Sequence, residues 1–162
     1  MLTIAGFIIY WNISYDYPGM TDQEAREVEQ SHFATIDEAK RYLMEKVQES
    51  DGSNGYTLNL SNDKKHKDYV VIVSNIAEDK NDVQLYTVAS LSPDKDGYKV
   101  KILNKNVELS RQAIPTTDEF TINETVYSYY IGPEKDNPFA DDAQGVYSPD
   151  NNYRITFSSE GF

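Results

Sequence analysis

The chain has 162 residues, no cysteine, and a net charge of −12 from 27 acidic and 15 basic side chains, with 39% of residues hydrophobic and 26% charged. That composition excludes a disordered chain and a chain made of membrane spans, and the missing cysteines exclude disulfide frameworks, zinc–thiolate clusters and thiol nucleophiles. The length suits one domain over residues 1–162 with a sizeable core.

Leu2 to Ile13 reads as a buried strand, because Phe7 to Trp11 is a short apolar run of aromatic and β-branched types. It lacks a basic leader and a small-residue cleavage site, and it is shorter than the about 20 residues a helix needs to cross a bilayer. A cytoplasmic protein without membrane contact is therefore expected. Thr21 with Glu24, and Thr35 with Glu38, each fit a capping box, in which the Thr oxygen and the Glu carboxylate take orphan backbone N–H groups. They predict helices over about Asp22–Gln30 and Ile36–Gln48. In the second helix Ile36, Ala39, Tyr42, Leu43 and Val47 share one face at the 3.6 period. It stops at Asp51–Gly55, where glycines supply turn conformations.

Beyond residue 55 the period becomes two. Tyr56, Leu58 and Leu60 alternate with polar residues; Tyr69–Val73 is a continuous apolar run; Val83, Leu85, Thr87, Ala89 and Leu91 line one face; Tyr98, Val100 and Ile102 line another. Polar turns at Asn62–Asp68, Glu78–Asp82 and Ser92–Gly97 are too short for parallel crossovers and predict antiparallel hairpins. Val107–Leu109 is a further short strand, Phe120–Ile131 the longest late strand, and Tyr153–Phe157 the last. Gly132–Asn152, rich in Pro, Gly, Asp and Asn, reads as a long loop broken by a brief strand at Val146 and Tyr147. The sum is an α+β fold: predominantly antiparallel β-sheet with one or two helices near the N-terminus packed on it. Residues 111–117 are a candidate subdomain break.

Neither a phosphate-binding glycine loop nor a GxSxG elbow occurs. His32 and His66 stand 34 residues apart and make no metal or acid–base spacing. Ser92, Asp94, Asp96 and Gly97 match the opening of a calcium loop, but Leu103 stands where a bidentate Glu is required, so a hairpin turn is expected there. No catalytic residue, metal or cofactor is assigned, and the chain reads as a non-enzyme.

The charge is uneven. Residues 112–162 hold nine acids and two bases, while residues 1–111 hold 18 and 13. Asp118, Glu119, Glu124, Glu134, Asp136, Asp141, Asp142 and Asp150 crowd this stretch, and Tyr127, Tyr129, Tyr147 and Tyr153 are interleaved with them. Tyrosine offers large contact area at small entropy cost and is enriched at interfaces. These twelve residues form the candidate binding face. A field of this sign repels nucleic acid and anionic lipid and attracts basic protein surfaces. The expected partner is a protein with a basic surface, such as a nucleic-acid-binding bacterial defence enzyme, with no direct nucleic-acid or membrane contact. In general character the chain is similar to the small, acidic, motif-poor phage and plasmid proteins that blunt bacterial defence, including anti-CRISPR and anti-restriction proteins, some of which act as DNA mimics. A second reading is a structural or regulatory interaction domain or a homo-oligomer. A third is a small-substrate enzyme using carboxylates.

Overall fold

The structure, a computed structural model, describes residues 19–47, 52–61, 67–76, 83–110, 114–140 and 143–158. The strand expected at Leu2–Ile13 and most of the turns expected at 62–68 and 78–82 lie outside them.

Both helices start where the capping pattern places them. Helix α1, Asp22–Gln30, has Thr21 Oγ1 accepting the Glu24 N–H at 3.1 Å and the Glu24 carboxylate accepting the Thr21 N–H at 3.0 Å. Strand β1, His32–Phe33, follows, and then helix α2, Ile36–Val47. At its start Thr35 Oγ1 accepts the Glu38 N–H at 3.1 Å, and Glu38 reaches back to the Ala34 N–H at 3.0 Å. The apolar stripes bury Ala25 and Val28 of α1 and Ala39, Leu43 and Val47 of α2.

The strands form two antiparallel sheets. The first contains β1 with β2 (Ser53–Asn59), β3 (Tyr69–Asn75), β4 (Leu85–Asp94) and β5 (Gly97–Glu108), in the order β1-β5-β4-β3-β2. The second contains β6 (Thr116–Ile122), β7 (Thr125–Pro133), β8 (Gln144–Tyr147) and β9 (Tyr153–Ser158), in the order β6-β7-β9-β8. The helices cover one face of the first sheet and the second sheet covers the other. Successive side chains of a strand alternate between faces. Thus Val71 and Val73 of β3 meet the helices, while Val70 and Ile72 enter the core between the sheets. Burial on both sides is why Tyr69–Val73 is continuously apolar. On β4, Ala89 and Leu91 face the helices, and Tyr86 and Val88, absent from the alternation read in sequence, fill the other core.

Three expected boundaries are corrected. Val107–Leu109 is no separate strand: β5 runs through Val107 to Glu108 because register shifts opposite Tyr86, Val88 and Ala89 absorb extra residues. Within this bulged stretch Asn106 has a left-handed φ of 58°, and its side-chain amide both accepts from the Met20 N–H at 2.8 Å and donates to the Met20 carbonyl at 2.7 Å. Period-two alternation is kept along β5, so Val100 faces the helix side and Val107, an odd number of positions on, faces the sheet side. Second, the Ser92–Gly97 turn is only Lys95–Asp96, with φ of 38° and 66°, between two strands. That is hairpin geometry and not the helix-flanked loop of a calcium site.

Third, Phe120–Ile131 is not one strand. It folds back as the β6–β7 hairpin at Asn123–Glu124, whose φ values are 49° and 72°. Both turn residues must be left-handed in this turn type, and glutamate is a poor residue for it. Glu124→Gly is therefore expected to raise the unfolding free energy by about 1 kcal/mol by relieving that backbone cost. Urea unfolding of the two proteins checks this, and an unchanged or lower midpoint would contradict it.

Candidate functional site

The second sheet carries all of the described candidate site residues, and its two faces divide them. On the inner face Phe120, Tyr127, Tyr129 and Phe157 form an aromatic cluster, with centroids 5.6 Å apart for Phe120 and Tyr127 and 6.1 Å for Tyr129 and Phe157. Tyr127 and Tyr129 are thus buried core residues, which corrects their assignment to a binding face. Tyr153 is half-buried and packs against the same core.

The buried phenols are anchored by polar partners. The Tyr127 hydroxyl donates to Oδ2 of Asp68, which is itself buried and whose Oδ1 meets no donor. The Tyr129 hydroxyl accepts from Asn104 Nδ2 at 2.6 Å. Burial, then the Asp68 carboxylate, holds the Tyr127 phenol protonated well above its ordinary range. Burial also raises Tyr129, with the charge of Asp118 second.

At the end of the sheet where β7 stops and β9 starts, a polar network forms. The Glu134 N–H bonds the Asn152 carbonyl at 2.8 Å, which fastens the short 3₁₀ turn Glu134–Asp136 to the β8–β9 connection. Glu134 Oε1 lies 3.7 Å from Arg154 Nη1, and its Oε2 accepts from Asn137 at 3.0 Å. Arg154 is only 4% exposed; it donates to the Ala143 carbonyl and lies 4.6 Å from the ring centre of Tyr147, itself 43% exposed. The Asp150 carboxylate accepts from the Ser148 hydroxyl at 2.6 Å and the Asn152 N–H at 3.0 Å. The Ser148 hydroxyl foremost, and then that N–H, hold Asp150 below the usual carboxylate range.

Asp118 and Glu119 are exposed in the middle of β6, and Glu124 is exposed at the hairpin tip, at the opposite end from the Glu134 network. Asp141 and Asp142 lie outside the described residues. The structure therefore brings together two groups and not one face of twelve. Asp118, Glu119 and Glu124 run along the β6–β7 hairpin. Glu134, Asp136 and Asp150 gather with Tyr147 and Tyr153 at the other end, and there Glu134 is committed to Arg154. Asp68 and Arg154 were missed as key polar residues. Each is a charged residue set beside or inside an apolar strand run, and that is itself a signal, because such residues are almost never buried unless paired.

Charge segregates with the layers. Between residues 114 and 158 the described acids are Asp118, Glu119, Glu124, Glu134, Asp136 and Asp150; the described cations are Lys135 and the buried Arg154. The helix and first-sheet layer instead mixes its acids with Arg26, Lys40, Arg41, Lys46, Lys67, Lys95, Lys99, Lys101 and Lys105. Among the described residues no group of three or more His, Asp or Glu is placed to hold a metal ion, and no helix is long and apolar enough to cross a membrane.

Fold and surface together define an α+β protein of three layers, with an acid-bearing outer sheet. Comparison of the chain with protein-family models, with curated proteins and with solved structures finds no match.

Proposed function

We propose that the protein is a non-enzymatic acidic binding protein whose second sheet docks on a basic, nucleic-acid-binding surface of a protein target, in the manner of anti-CRISPR and anti-restriction inhibitors. The supporting observation is the charge segregation: Lys135 is the single exposed cation among the described residues of the second sheet. Proteins that grip nucleic acid present rows of Lys and Arg to phosphates. Spaced carboxylates on a rigid sheet compete for those rows, and a one-signed field speeds encounter. The contact residues of this reading are Asp118, Glu119, Glu124, Asp136, Tyr147 and Asp150. Tyr127 and Tyr129 act from the interior, holding the sheet that displays them.

The test is titration calorimetry against purified CRISPR and restriction nucleases, with and without their nucleic acid. A true target should lose affinity by about tenfold or more between low and physiological salt, since exposed charge pairs are screened over about 8–10 Å. Its nucleic acid should compete. Asp118→Lys with Glu119→Lys should weaken binding strongly, and Asp37→Lys with Glu45→Lys on α2 should not. Equal losses from both pairs, or affinity indifferent to salt, would count against the reading.

A further inference from the structure

We infer that β6 is the strand through which the target is engaged: its free edge accepts an extended basic strand, and Asp118 gates the backbone ladder by charge. This rests on the binding reading above and specifies its partner chemistry.

β6 is an edge of the second sheet, and among the described residues no strand lies on its outer side. The two-residue turn at Asn123–Glu124 makes Ile122 and Thr125 a mutually hydrogen-bonded pair, and pairing alternates from there. Thr117, Glu119 and Thr121 accordingly direct their N–H and C=O groups away from β7. One of these outward donors is already occupied: the Glu119 N–H bonds Asp118 Oδ1 at 2.8 Å. The strand is otherwise well suited to pairing. Thr116, Thr117 and Thr121 are β-branched. Exposed apolar side chains stand at both ends, Ile114 at 82% and Val126, opposite Thr121, at 51%.

Charge decides what can pair there. A second copy of the chain, overlapping β6 fully and antiparallel, centres on Glu119 and sets acid against acid, which is destabilising. A neutral strand gains no ion pair and must strip Asp118 from the Glu119 N–H. A strand carrying Lys or Arg supplies a new partner for the Asp118 carboxylate and thereby frees the Glu119 N–H for the ladder. The gate therefore opens for a basic strand, and edge-to-edge aggregation is suppressed by the same side chain.

The probes are three strand-length peptides of about seven residues, alternating Thr or Val with Lys, Gln or Glu. Binding is read from the amide shifts of Thr117, Glu119 and Thr121 and from titration calorimetry. The lysine peptide is expected to bind about tenfold or more tighter than the glutamine peptide, and the glutamate peptide not at all. Asp118→Asn should bring the lysine and glutamine peptides within about twofold of each other, because the gate then carries no charge. Thr121→Pro removes an outward N–H that pairs with no described strand and should abolish peptide binding while leaving the unfolding midpoint nearly unchanged. Slow exchange of the Thr117 and Thr121 amides in the free protein would overturn the proposal, because the edge would already be paired. So would full target binding by Thr121→Pro; if Glu119→Lys still weakened that binding, acidic docking would stand and strand addition alone would fall. Loss of neither would remove both.

Discussion

Tyr127→Phe is expected to lower the unfolding free energy by about 3 kcal/mol, because it leaves a buried carboxylate with no donor among the described residues. Asp68 is 1% exposed, and the Tyr127 hydroxyl is the hydrogen-bond donor to its carboxylate. The bond crosses the core: the Asp68 carbonyl accepts the Leu60 N–H at 2.8 Å at the connected end of the β2–β3 pair, next to Asn59 and Tyr69, while Tyr127 sits on β7 of the facing sheet. It is thus a polar tie between the two sheets. Removing one partner costs more than removing both, since two apolar groups of matching shape leave nothing unsatisfied. The double variant Asp68→Leu, Tyr127→Phe should therefore be more stable than Tyr127→Phe alone. Urea unfolding checks the pair. A single-variant loss below about 1 kcal/mol would mean that the carboxylate is solvated or neutralised in some other way.

The second large effect is on alkaline stability. Burial pushes the Tyr86 phenol up to about 12. Tyr127, Tyr129 and Tyr130 are also raised, chiefly by burial and secondarily by the carboxylates of Asp68, Asp118, and Asp136 with Glu134, respectively. In the unfolded chain each phenol releases its proton near its ordinary value of about 10, whereas the folded protein retains it. The contribution of these groups is fully present below pH 10 and is lost as pH rises; for Tyr86 the window runs from 10 to about 12. Each phenol still protonated in the folded state removes roughly 1.4 kcal/mol of stability per pH unit in its window. Four acting together should make alkaline unfolding steep. Phenolate absorbance should then rise in two phases, exposed tyrosines first and the buried set together with loss of circular dichroism. A single gradual phase with the fold intact would contradict this account.

How much of this was legible depends on whether a residue's signal is local. Thr21 and Thr35 announce helices because capping joins neighbours in sequence, and the Ile36–Val47 stripe needs no partner to be read. Tyr69–Val73 reads as a continuous apolar run, as in a central strand, because both of its faces are covered. The β6–β7 turn was hidden because Asn123–Glu124 lacks the glycine that such turns prefer, so the two strands read as one. The alternation of Tyr127 and Tyr129 was visible and correctly placed them on one face. Which face was inside could not be read, because the aromatic cluster is completed by Phe157, 28 positions after Tyr129. The spread of the acids is likewise set by strand order. Glu124 and Asp150 sit at opposite ends of a sheet whose pairing carries no mark in the sequence.

One wall of the inter-sheet core is made late. Val70, Ile72, Tyr86 and Val88 all emerge from the ribosome before β6 to β9, which close over them. At roughly 5–20 residues per second, the nascent chain displays a bare apolar sheet for some seconds until β9 follows. Shielding of that surface during synthesis is therefore expected to raise its yield, and pauses placed after β5 should lower the yield more than pauses placed before it.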